Sequence, residues 1–134
     1  MKNLDINDRQ VGSVTVLDID GNLRIGEGSA VLHKAIRRLL ETGQNQILLN
    51  LAHVTYIDSS GLGELVAAHV ALSKSGGQIK LLHLTRRVRE LMMITKLLTV
   101  FDAYEDEATA LDSFKTLSID LEEHAPALAQ SAAR

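Results

Sequence analysis

The chain of 134 residues contains no cysteine. Disulfide frameworks and thiolate metal sites are therefore excluded, and a reducing compartment is permitted. Tryptophan is absent and aromatic residues make up only 3%, so the core must be built from Leu, Ile and Val. The same shortage leaves little for stacking on nucleobases. Positive charge is not in excess: the formal net charge is -3, which argues against nucleic-acid binding, since that usually needs a basic face. No apolar run approaches the ~18–20 residues needed to cross a bilayer, and the opening MKNLDINDRQ is polar. The expectation is a cytoplasmic protein without membrane insertion. What the chain does have is 46% apolar residues. That suits one globular domain, which at this size buries roughly two thirds of the surface its unfolded chain exposes.

Leu4–Ile6 and Val14–Ile19 read as strands joined in a hairpin, the second ending at a turn that contains Gly21. Ser29 is a plausible N-cap for a first helix, whose stripe is Val31, Leu32, Ala35, Ile36, Leu39 and Leu40, with Thr42-Gly43 ending it. Ile47–Leu51 is a continuous apolar run, the pattern of a strand buried on both faces. A second helix runs from near Ser59 to Gly76-Gly77, followed by a strand in Q-I-K-L-L-H-L. Thr85 then caps a third helix with Val88, Leu91 and Met92 inward. T-V-F-D-A-Y predicts a last short strand, and Glu107 to Leu117 a final helix with Ala108, Leu111 and Phe114 on one face. Alternating strands and helices imply an α/β domain with a mixed, largely parallel sheet of about five strands covered by about four helices. The domain is expected to span 1–117. Residues 118–134 form an Ala-rich tail, flexible or helical, in which Pro126 interrupts a face of Leu117, Leu121, His124 and Leu128.

Several familiar sites fail on inspection. Gly21 to Gly26 begins like a P-loop, but Glu27 stands where lysine must meet phosphate. G-L-G-E-L-V has Val66 in place of the third glycine of a dinucleotide loop. D-I-D-G-N has the glycine of a calcium loop in the wrong position. No two histidines share an i, i+4 spacing, and His69, within an apolar stripe, reads as a partly buried, hydrogen-bonded side chain. Arg86, Arg87 and Arg89 read first as a solvated helix face and second as a surface for an anionic partner. Neither Ser59 nor Ser60 has the flanking glycines of a hydrolase elbow.

The stretch Y-I-D-S-S-G-L-G-E-L remains. Asp58, Ser59 and Ser60 are all good caps, and one cap suffices for a helix. Gly61 and Gly63 weaken the first turn by up to ~1 kcal/mol each relative to alanine. That cost suggests a backbone kept bare so that something can approach closely, with Leu62 exposed between the glycines. A helix N-terminus carries partial positive charge and tolerates a phosphate on a serine there. A partner packed on the same turn, where Asp58 already adds a negative charge, would not.

This motif, preceded by I-L-L-N-L and followed by G-G-Q-I-K-L-L-H-L and I-T-K-L-L-T-V-F, resembles the STAS domain, specifically the bacterial anti-sigma-factor antagonists, over roughly residues 10 to 117. The resemblance implies partner switching. The unphosphorylated antagonist binds an anti-sigma factor that is also a serine kinase, and so frees the sigma factor. Phosphorylation of the first serine after the aspartate, here Ser59, releases it. A metal-dependent serine phosphatase of the PP2C type restores it. Asp58, Ser60, Gly61, Leu62 and Gly63 would form the recognition turn. The domain itself would be no enzyme and hold no cofactor, since ATP and metal belong to the partners. One position departs from the family: many antagonists carry Gly-x-Leu-Asp at the end of the second strand, where this chain reads Gly21-Asn22-Leu23-Arg24. Arg24 reverses the charge that helps to meet the kinase. The alternative reading is a structural STAS subunit of a larger assembly, such as a lipid-transport complex or a sensory scaffold. A third, an enzyme with Ser59 or Ser60 as nucleophile, lacks any identifiable base or oxyanion donor.

Overall fold

The computed structural model describes residues 4–24 and 26–114. Strand β1 (Asp5–Val11) pairs antiparallel with β2 (Val14–Leu23). The hairpin expected from sequence is closed by Gly12-Ser13, with Gly12 at φ 61°. Strand β2 does not stop at Gly21. It runs on to Leu23, and its pairing with β3 (Gln46–Ile57) shifts register on either side of Gly21, which adopts φ 133°. The glycine marks an irregularity inside a strand rather than a turn.

Helix α1 (Glu27–Glu41) is capped by Gly26, so it starts before Ser29. Ser29 is a buried residue of its first turn, not its cap. Helix α2 (Ser59–Lys74) follows β3 after a single residue. Strand β4 (Gln78–Leu82) then leads to α3 (Arg86–Ile94), where the Thr85 hydroxyl accepts the Val88 amide at 3.4 Å, as expected, and also donates to the Val54 carbonyl at 2.9 Å. A 3-10 turn at Leu97–Thr99, entered through Lys96 at φ 66°, ends on Thr99, the first residue of the stretch expected to be extended, and Val100 and Phe101 continue as turn and bend. Strand β5 is accordingly only Ala103–Tyr104. Residues 107–114 form helix α4, entered through Asp106, whose carboxylate accepts the Thr109 amide at 2.8 Å. The remainder of the predicted last helix and the 118–134 tail lie outside the described residues.

The sheet order is β1-β2-β3-β4-β5, parallel throughout except for the β1–β2 hairpin. Because side chains alternate along a strand, Ile47 and Leu49 face the main core with Leu17, Leu81 and residues of α1, α2 and α3. Leu48 faces the other way, with Val14, Val16 and Leu82, and α4 covers this second core with Ala110 and Phe114. Leu111 packs at its edge, whereas Ala108, expected inward, is exposed.

Polar contacts fasten α4. Lys80 is 6% exposed; its Nζ donates to Ser113 Oγ at 2.8 Å and lies 4.9 Å from the Phe114 ring centroid. Arg9 bridges Asp18 of β2, at 2.6 Å, and Glu107 of α4, at 2.7 Å. Those hydrogen bonds hold both carboxyls below their usual range and raise the guanidinium further.

Candidate functional site

The site grows from the C-terminal end of β3. Asp58 joins strand to helix, and three contacts fix it. Its amide donates to the Leu23 carbonyl at the end of β2 at 3.0 Å, its carbonyl accepts Leu62 N–H at 2.9 Å, and its Oδ1 accepts Gly61 N–H at 3.0 Å. Of the three candidate caps, Asp58 is therefore the one that caps α2.

The two serines diverge. Ser59 opens the helix and is exposed. Ser60, about 100° further around the helix, turns inward, and its Oγ lies 3.0 Å from Ser29 Oγ. Ser29 Oγ in turn donates to the Arg24 carbonyl at 3.1 Å. A hydroxyl has one proton, so with the Ser29 proton on that carbonyl, Ser60 is the donor between the two serines. The chain Ser60–Ser29–Arg24 ties the start of α2 to α1 and to the end of β2.

The glycines differ in the same way. A Cβ on Gly61 would collide with the Leu23 carbonyl oxygen and come within 2.8 Å of Ile57 Cγ1. Gly61 is thus bare for the chain's own β2, which corrects the expectation of an outside visitor at that position. Gly63 is exposed and has nothing within 4 Å of its Cβ position, so it is the glycine that an outside surface can approach. Leu62, expected to be exposed, is half-buried against the main core. Glu64 Oε1 lies 3.1 Å from His33 Nδ1 and links α2 to α1 on the adjoining face.

Arg24 does reach the site. Its guanidinium lies 5.8 Å from the centroid of the Tyr56 ring, just upstream of the serine turn. Arg87 lies 5.9 Å from the same centroid. The sequence reading passed over Tyr56 as a focus of positive charge, and it missed Ser29 as the partner of Ser60. No local pattern announces either, because the partners come from separate elements. Of the arginine cluster, Arg86 pairs with Glu90 and Arg89 with Glu105, each at 3.3 Å, which agrees with a solvated face for those two. His69 is half-buried, as read, with its ring edge-on to Phe101 at 5.4 Å. Among the described residues no helix is long and apolar enough to cross a membrane.

Known proteins share this fold and much of this sequence pattern. The family model for the STAS domain matches residues 5–110. The anti-sigma-B factor antagonist of Bacillus subtilis is 30% identical over 100 residues, covering 75% of this chain and 90% of that protein. The anti-sigma F factor antagonist of Paenibacillus polymyxa is 22% identical, covering 87% and 99%. Among solved structures, an anti-sigma factor antagonist from Mycobacterium paratuberculosis superposes with a TM-score of 0.74 at 21% identity, covering 83% of this chain and 93% of that one. The Bacillus cell fate determinant SpoIIAA in its phosphorylated form gives 0.66 at 20%, covering 82% and 99%. At those identities the two superpositions speak for the fold. The matched family model, the Bacillus subtilis relative and the fold together make this chain a member of the STAS domain family, in the group that holds the anti-sigma-factor antagonists.

Proposed function

We propose that this protein antagonises an anti-sigma factor by partner switching, with Ser59 as the phosphorylated residue. The observation that carries the reading is the unequal standing of the two serines: Ser59 is exposed at the helix start, while the Ser60 hydroxyl is engaged with Ser29. A kinase can take up the first without disturbing the fold. A phosphate there adds about -1.5 to -2 charges where helix N–H groups and the helix dipole favour an anion. The domain accommodates that charge, and a partner packed on the turn is expelled by it. In this reading Asp58 and Gly61 hold the turn in shape, and Ser60 anchors it. Gly63 and the uncovered edge of Leu62 meet the partner, with Arg24 beside them. The partner is an anti-sigma factor with serine kinase activity, and a PP2C-type phosphatase reverses the mark. ATP and metal reside on those partners, and the antagonist acts by binding alone. SpoIIAA, which shares the fold, exists in a phosphorylated form, and that supports the assignment of a phosphoserine to such a domain.

The test is to immobilise the wild-type protein and Ser59→Asp, pass host lysate over both, and identify what each retains. A kinase-like anti-sigma factor held by the wild type and lost by the variant is the expected result. An assembly retained equally by both would overturn the switch and favour a structural subunit.

A further inference from the structure

Tyr56 is 37% exposed, and it gathers two guanidinium groups from distant segments, Arg24 at the end of β2 and Arg87 at the start of α3. Like charges brought to one ring repel each other, and the negative face of the ring offsets part of that repulsion. Beside the ring lies an open groove of about 380 Å³, lined by Tyr56, Ile57, Arg87, Glu90, Leu91 and Ile94. Its one acidic lining residue, Glu90, is paired with Arg86. Arg87 makes no ion pair among the described residues. The apolar side of the groove is unusually open to water: Ile94 is 77% exposed and its neighbour Met93 57%. Large aliphatic side chains left in water beside a cationic aromatic face make a surface suited to association.

We propose that this groove is the docking surface for an acidic segment of the partner protein, one that sets a carboxylate against Arg87 and a large apolar side chain against Leu91 and Ile94. The inference rests on the partner-binding reading of the serine turn and adds the chemistry of what binds next to it. Arginine favours carboxylates through paired N–H donors and keeps its charge at any physiological pH. An anionic membrane is the other surface of that sign. It is disfavoured by the shape of the site, a groove that admits a few side chains rather than a plane of headgroups.

The test is a titration of the isotope-labelled full chain, followed by amide chemical shifts, with three probes. These are a synthetic hexapeptide alternating acidic residues with leucine, the same peptide with lysine for each acid, and phosphatidylglycerol-containing vesicles. The acidic peptide is expected to shift Tyr56, Arg87 and Ile94. Its affinity should fall about tenfold in Arg87→Glu, and fall again as salt is raised. Arg87→Gln should give an intermediate loss with an unchanged thermal midpoint, which separates charge from folding. The proposal is overturned if the lysine peptide binds equally, if Arg87→Glu binds as the wild type does, or if only the vesicles bind. None of these results depends on phosphorylation. A failure here would leave the Ser59 switch standing, and a failure of Ser59→Asp to release its partner would leave the groove standing.

Discussion

Gly61 and Gly63 lie two residues apart in one helical turn and answer to different constraints. The first is pressed against the Leu23 carbonyl, and the second faces open space. Gly61→Ala is expected to destabilise the domain by ~1–3 kcal/mol, because the methyl group meets backbone that cannot rotate away. Gly63→Ala should instead stabilise it by up to ~1 kcal/mol through helix propensity. Urea unfolding midpoints of the two variants decide this, and equal shifts of the same sign would contradict it. Ser60→Ala removes the donor to Ser29 and should cost about 1 kcal/mol. The Asp-Ser-Ser-Gly-Leu-Gly turn was legible in the sequence as a helix start with an unusual demand for small residues. The reason for that demand was not. It lies in Leu23, Ile57 and Ser29, which folding brings to the turn and which no local spacing reveals.

Among the elements, the α1, α2 and α3 layer was readable from apolar stripes at helical spacing, and the β3 run from its continuous apolar character. Misreadings fell where tertiary context overrides a local signal. Gly21 reads as a turn and serves as a strand irregularity. Ser29 reads as a cap and serves as a buried hydrogen-bond partner. Helix α4 was legible as a helix, but not as the lid of a second core on the opposite sheet face, since its ties come from β1, β2 and β4. One of those ties is expected to respond to acid. The usual values are 3.8 for Asp18 and 4.5 for Glu107, and Arg9 lowers both in the folded protein. A lowered folded-state value means that the stabilisation is complete above the usual value and is lost as pH falls through the depressed one. The contribution is modest because all three groups are about a third or more exposed. Amide exchange in residues 107–114 is therefore expected to accelerate as pH falls below about 4, beyond the intrinsic pH dependence of exchange. Arg9→Ala should reproduce the acceleration at neutral pH, and exchange indifferent to both changes would show that Phe114 and Lys80 suffice to hold the helix.

For the whole molecule, the parallel arrangement brings the C-terminal end of β3, with its following helix, to the same end of the sheet as the end of β2. Arg24, Tyr56 and the serine turn converge there because consecutive parallel strands point the same way. We propose that the folded unit ends near residue 117, since the two cores draw on residues from Leu4 to Phe114. Removal of residues 118–134 should then leave the thermal midpoint within about 2 °C of the full chain. A larger drop would extend the domain into the tail.

The Ser60–Ser29–Arg24 chain of hydrogen bonds has a consequence for fidelity. Two hydroxyls of the same chemistry stand side by side, and an enzyme that mistook one for the other would write its mark in the wrong place. At Ser60 a phosphate would have to displace Ser29 and prise α2 from α1, so an error there would yield a damaged molecule rather than a false message. Under the proposed switch, the helix, by turning one serine out and the next inward, would make a misplaced signal self-cancelling.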